Sequence, residues 1–263
     1  EISQDLSEAQ AILGVKQVPE SRLLPDKTYL FFSHTIKGQP ENMPLLDKIL
    51  RNNIRLIDYE CITTDEQMRL VAFGAFAGRA GMVNCFRGLG ERLLGLGYST
   101  PFLNIGSSYM YPDLEEARDA VKGMGDLIQR EGLPAELGPM VFVFTGKGNV
   151  SNGALEIFKL LPHRMVKPEE LPALCSRNPT SVDSSKRVRE VIGCVVTTEH
   201  MVERKSETKT FDREHYRRFP GDYEPVFHEN IAPYASVVVT GHYWDPRFPR
   251  LITTPQLYDL RKS

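Results

Sequence analysis

The sequence predicts an α/β protein with two parallel sheets, and three observations predict it. Short apolar runs rich in β-branched and aromatic residues recur between longer amphipathic segments, the alternation expected of strand–helix units. Several of these runs are apolar at nearly every position, as in strands covered on both faces. One of them, residues 141–145, passes through two closely spaced glycines straight into the amphipathic run Leu155, Ile157, Phe158, Leu160 and Leu161. Strand, tight turn and helix in that order are Rossmann-like. Two α/β units joined near residues 74–95, both incomplete, are therefore expected.

Taken in order, residues 11–16 (AILGVK) form a short strand ending in a base, Lys16. After a polar connection, residues 28–33 (TYLFFS) form a second strand that ends at His34. Asn42 is placed to cap a helix with Met43, Leu46, Ile49 and Leu50 on its apolar face. Residues 55–59 (RLIDY) form a third strand ending at Glu60, followed by a turn at 65–67 and a short strand at 70–72. The small-residue run 74–81 (GAFAGRAG) opens a helical pattern that continues to Leu94 and lets a helix approach another backbone closely. The helix predicted over 112–130 places Asp113, Glu115 and Glu116 near its start, as the helix dipole favours. A short strand ends at Val166, a polar loop spans 176–189, and buried strands are expected at 191–197 and 236–240.

Bulk properties narrow the function. With 263 residues, 41% of them hydrophobic, the chain is long enough for one large core or two modest ones. A formal charge of −2 gives no electrostatic case for nucleic acid or an acidic membrane surface. No apolar run approaches the roughly 18 residues of a membrane helix. The first residues are polar and acidic, with no secretory pattern. Cys61, Cys85, Cys175 and Cys194 lack C-x-x-C spacing, so they read as reduced, buried thiols of an intracellular protein, with no metal site expected.

The candidate chemistry lies at strand ends. Gly146 and Gly148 are separated by one residue, and Asn149, Val150 and Ser151 open the helix, with Ser151 where the usual third glycine would stand. Such a turn aims free N–H groups and the helix dipole at one point, which suits a pyrophosphate. Lys16, His34 and Glu60 each follow a predicted parallel strand, where α/β sheets bind their ligands. Each has an ordinary alternative as a solvated or capping residue; together they fit a shared acid–base site. Lys37 and Gln39 could bind a carboxylate or ketone oxygen, and Arg79 could serve the substrate or a structural ion pair. Lys167 stands about twenty residues beyond the first glycine, where a base favours the 2′-phosphate of NADP; Glu169 leaves NAD open. Tyr243 and Trp244 could line a cleft or join the core.

The strings ILGVK, FFSHTIKGQPENMPLLDKIL, RLIDYE, VAFGAFAGRAGM and FVFTGKGNVSNGA resemble lysine–ketoglutarate reductase. That family is the saccharopine-forming half of bifunctional aminoadipic semialdehyde synthases. LGYSTPFL, SSYMY, IFKLLPH and YEPVFHE resemble its plant-type form. The wider group includes alanine dehydrogenase and transhydrogenase. The resemblance implies two Rossmann-like parallel-sheet domains with a cleft between them, a substrate domain over 1–78 and a dinucleotide-binding domain over 79–263, parts of a longer enzyme with further strands at both ends. It implies condensation of L-lysine with 2-oxoglutarate and reduction by NADPH to saccharopine, with NAD the lesser choice. Lys16 and His34 then share acid–base work, Glu60 tunes the lysine, Gln39 faces the substrate, and Gly146, Gly148, Asn149, Val150 and Ser151 contact the cofactor. A cytoplasmic location is expected, or a mitochondrial one as in animal relatives, and an oligomer could form through the parent enzyme. An alanine dehydrogenase-like enzyme and a non-catalytic remnant are the alternatives.

Overall fold

The computed structural model describes residues 4–175, 186–206 and 210–260. The chain divides into two compact units, Glu1–Phe73 and Gly74–Ser263. In the first unit, β1 (Ala11–Lys16), β2 (Thr28–Phe32) and β3 (Arg55–Asp58) form a parallel sheet in the order β1-β2-β3. Helix α1 (Met43–Arg51) buries Leu45 and Ile49 in a core with Leu23, Tyr29 and Phe31. The packed face is thus shifted from the expected one, and Leu50 is exposed. The expectation of two covered faces fails for this sheet. Leu13, Leu30 and Ile57 stand in one register row, and Leu13 and Ile57 are exposed.

The turn at 65–67 is present, but the strand expected at 70–72 is not. Thr63 instead bridges Arg69, and the Leu70 N–H donates to the Ile62 carbonyl at 2.9 Å. The chain folds back on itself there, because the local hairpin satisfies backbone groups that an isolated three-residue strand would leave open.

The second unit begins with α2 (Gly74–Gly95) and α3 (Leu114–Glu131). Asp113 caps α3, accepting from the Glu116 N–H at 3.0 Å. Then follow β4 (Val141–Thr145), α4 (Asn149–Phe158), β5 (His163–Val166), β6 (Val191–Val196), β7 (Val202–Arg204), β8 (Tyr223–Pro225) and β9 (Val237–Thr240). The main sheet is wholly parallel, in the order β5-β6-β4-β9. Every residue of β4 is buried. Phe142 and Phe144 enter one core with α2, α3 and α4, while Val141 and Val143 enter another with Met201, Tyr223 and Phe227. This sheet is covered on both faces. β7 and β8 form a small antiparallel pair that three-residue strands did not announce.

The small residues of α2 serve close packing. A Cβ at Gly78 would lie 2.0 Å from the Val150 carbonyl oxygen, and one at Gly153 would lie 2.1 Å from that of Ala75. Two glycines, one on each helix, therefore let α2 and α4 meet backbone to backbone. The expected loop at 176–189 falls largely outside the described residues. All four cysteines are free, but only Cys194 is buried, where desolvation pushes its thiol up to about 12. Cys61 is exposed, so the reading of four buried thiols is corrected.

Candidate functional site

The C-terminal end of the first sheet gathers charge around one carboxylate. Asp58, the last residue of β3, is buried and accepts from the Ser33 hydroxyl and from the Glu60 N–H at 2.9 Å. It thereby ties the end of β2 to the turn after β3 and turns Glu60 inward. The Glu60 side chain is only 1% exposed. Its Oε2 lies 3.1 Å from His34 Nδ1, and its Oε1 lies 3.0 Å from an Arg69 guanidinium nitrogen and 3.4 Å from Lys37 Nζ. A buried carboxylate is tolerable only with such partners.

His34 has a left-handed backbone, φ +58°, a conformation uncommon outside glycine. The Asn42 amide donates to its carbonyl at 3.4 Å and to Gln39 Oε1 at the same distance. Asn42 is thus spent on this loop and does not cap α1 as expected. With Nδ1 directed at Glu60, Nε2 is the ring nitrogen left for other chemistry. The His34 ring stacks on Phe32 with centroids 6.3 Å apart, and Lys16 Nζ lies 5.9 Å from the Phe32 centroid. Lys16 and His34 therefore flank one aromatic ring.

The C-terminal end of the second sheet is built differently. Gly146 has φ +86°, and its N–H donates to the Val196 carbonyl at the end of β6 at 2.8 Å. Gly148 has ordinary extended geometry, and a Cβ there would meet nothing within 4 Å. Gly146 is required by the turn, whereas Gly148 leaves open space before the first turn of α4. Ser151 is buried and donates to the Thr145 carbonyl at 2.7 Å, so its hydroxyl closes the turn. Its Oγ would also lie 2.1 Å from a Cβ at Gly241. Val150 is occupied by packing against Gly78, and Asn149 is exposed at the start of α4.

A cavity of about 420 Å³ opens at these strand ends, lined among others by Gly146, Lys147, Gly148, Thr198, His242 and Trp244. Thr145 Oγ1 lies 2.7 Å from His242 Nδ1, and burial holds His242 below the usual imidazole value. Arg79 pairs with Glu156 at 2.8 Å and lies over the Phe76 ring, so its guanidinium is committed within the second unit. Lys167 follows β5, which pairs with β6 and not with β4. The sheet order thus leaves a whole strand between Lys167 and the glycine turn. Among the described residues there is no cluster of three or more metal-ligating side chains, and no helix is long and apolar enough to cross a membrane.

Residues 1–80 match the family model of the alanine dehydrogenase/PNT N-terminal domain. The whole chain is 54% identical to the alpha-aminoadipic semialdehyde synthase of Arabidopsis thaliana over 266 residues. This chain is a homologue of the alpha-aminoadipic semialdehyde synthases. It is 45% and 43% identical to the mitochondrial synthases of Bos taurus and Mus musculus, each over 96% of its length. It spans about a quarter of the length of these synthases. A solved L-alanine dehydrogenase overlaps 98% of this chain and 55% of its own at a TM-score of 0.40 and 11% identity, so the sequence relatives carry the assignment.

In this homologue of the synthases, sequence reasoning missed Ser33, Asp58 and Arg69. Ser33 and Asp58 read as ordinary strand ends, and only the parallel pairing of β2 with β3 brings them together. Arg69 reaches Glu60 because the segment after Thr63 doubles back, which no periodicity signals.

Proposed function

We propose that this chain carries the reductase chemistry of the synthases: NADPH-dependent reductive condensation of L-lysine with 2-oxoglutarate to saccharopine. The observation that carries the reading is the buried Glu60, which accepts His34 Nδ1 at 3.1 Å at the end of a parallel sheet flanked by Lys16. A carboxylate behind an imidazole fixes the ring and leaves Nε2 to move protons. The reaction asks for that service repeatedly. The lysine amine must lose a proton to attack the ketone, and the carbinolamine hydroxyl must gain one to leave as water. The imine must then be held protonated. His34 moves these protons at Nε2, and Lys16 shares the work beside the same Phe32 ring. Lys37 and Arg69 are cations beside the site that would attract the dicarboxylate.

Residues 1–78 are read as the substrate-binding domain and residues 79–263 as the dinucleotide-binding domain, with the compact units dividing slightly earlier, between Phe73 and Gly74. The open space at Gly148, the free N–H groups at the start of α4 and the adjacent cavity suit a pyrophosphate. Bound there, NADPH supplies the hydride. Gly146 shapes the turn, and Gly148 and Asn149 present backbone to the phosphates. The names of the bovine and mouse relatives favour a mitochondrial location for the parent enzyme, while a cytoplasmic one suits a plant-type form.

The match of residues 1–80 to the alanine dehydrogenase/PNT model favours one second reading, reductive amination of pyruvate by ammonia. Nicotinamide absorbance of NADPH with the purified chain separates them. Loss of absorbance that requires both lysine and 2-oxoglutarate supports the first reading. Loss with pyruvate and ammonium supports the second. NADPH binding without turnover of either pair leaves a binding module and contradicts both.

A further inference from the structure

We infer that the 2′-phosphate of the cofactor is read by Arg213, supported by Lys147, and not by the base that follows the second strand of the unit in sequence. This inference rests on the proposed dinucleotide site. In a glycine-turn fold the ribose of the adenosine half lies over the strand that neighbours the glycine-bearing one. Here that neighbour is β6, because the order is β5-β6-β4-β9. The Gly146 N–H bonds directly to the Val196 carbonyl at the end of β6. β5 lies one strand further out, about 10 Å from β4 at the usual strand spacing. Its register also stops low, since Val166 pairs with Cys194 while β6 runs on to Val196. Lys167 is thus both lateral to the glycine turn and below it.

The residues beyond β6 supply what Lys167 lacks. Gly146, Lys147, Thr198 and Arg213 line the 420 Å³ cavity and also line an adjoining pocket of about 280 Å³ with Thr197 and Glu199. Arg213 and Lys147 are exposed, and neither has an ion-pair partner among the described residues. Arg217 adds a third cation to the 420 Å³ cavity, which has no carboxylate among the described residues of its lining. The one acid among the described residues of the adjoining pocket, Glu199, accepts the Thr197 hydroxyl at 2.7 Å. Two unpaired cations beside a glycine turn lack an anion, and a guanidinium grips a phosphate through two parallel hydrogen bonds. A dinucleotide with only a hydroxyl at that position would leave Arg213 unused.

Trp244 lines the same cavity and is the chain's single tryptophan, so its fluorescence reports binding without any turnover. The probes are 2′,5′-ADP, which carries the 2′-phosphate, and 5′-AMP, which does not. The intact chain is expected to bind 2′,5′-ADP more tightly. Arg213→Ser should weaken 2′,5′-ADP about tenfold or more and leave 5′-AMP unchanged, and Lys167→Ala should change neither. An unaltered preference in Arg213→Ser, or a preference lost in Lys167→Ala, overturns the assignment while leaving the dinucleotide site intact. Equal binding of the two probes by the unmodified chain does the same. Binding of neither refutes the dinucleotide reading itself, and the inference falls with it.

Discussion

The two strand-end clusters treat charge in opposite ways. At the end of the first sheet, Lys37, Arg69 and His34 converge on one buried carboxylate, Glu60. At the end of the second, Lys147, Arg213 and Arg217 line a cavity with no carboxylate among the described residues of its lining. The first cluster is complete without a ligand and holds an imidazole in a fixed orientation. The second keeps Lys147 and Arg213 without an ion-pair partner among the described residues, as the proposed dinucleotide site needs. The contrast matches the division of labour proposed above: proton transfer needs a group held still, and cofactor binding needs unspent donors.

Glu60→Ala should have the greatest consequence, because it strips three partners from a buried site. A loss of about 3 kcal/mol from the first unit is expected, by analogy with broken buried ion pairs, read by denaturant titration. Glu199→Ala at the exposed second site should leave stability within about 0.5 kcal/mol. Equal effects would erase the distinction. Next come His34→Gln and Lys16→Met, each expected to slow turnover about a hundredfold or more. Unchanged rates in both would remove the acid–base assignment. Gly146→Ala should cost about 1–2 kcal/mol through its left-handed backbone, whereas Gly148→Ala should leave stability unchanged. Calorimetric melting of the two variants distinguishes a turn glycine from an approach glycine.

The smallest effect concerns His242. Burial lowers its folded pKa, so the unfolded chain binds the proton more readily. This contribution is fully present above the unfolded-state value near 6.5 and is lost as pH falls from there through the lowered folded value. A wild-type stability that declines over that window, against a flatter profile in His242→Asn, is the expected outcome. Identical profiles would show that His242 does not titrate on unfolding.

Much of the fold was legible because its strands are uninterrupted apolar runs with chemical punctuation. The strands expected at 11–16, 28–33 and 55–59 form, the last two one residue shorter at their ends, and the glycine turn after Thr145 is in place. The close helix crossing was foreshadowed by small residues and is made by Gly78 and Gly153. What could not be read is pairing at a distance. Sheet order decides that Lys167 stands apart from the turn, and no local pattern encodes it. The reversal that brings Arg69 to Glu60 depends on one bridge, Thr63 to Arg69. Asn42 looked like a helix cap because its type and position suit one, yet the strained His34 loop claims its amide.

The decisive experiment is a steady-state comparison of His34→Gln with Gly148→Val, using lysine, 2-oxoglutarate and NADPH. The account predicts that His34→Gln lowers kcat with the KM for NADPH unchanged, and that Gly148→Val raises that KM with kcat largely retained. A His34→Gln chain that keeps its kcat, or one whose defect lies only in the KM for NADPH, would contradict it.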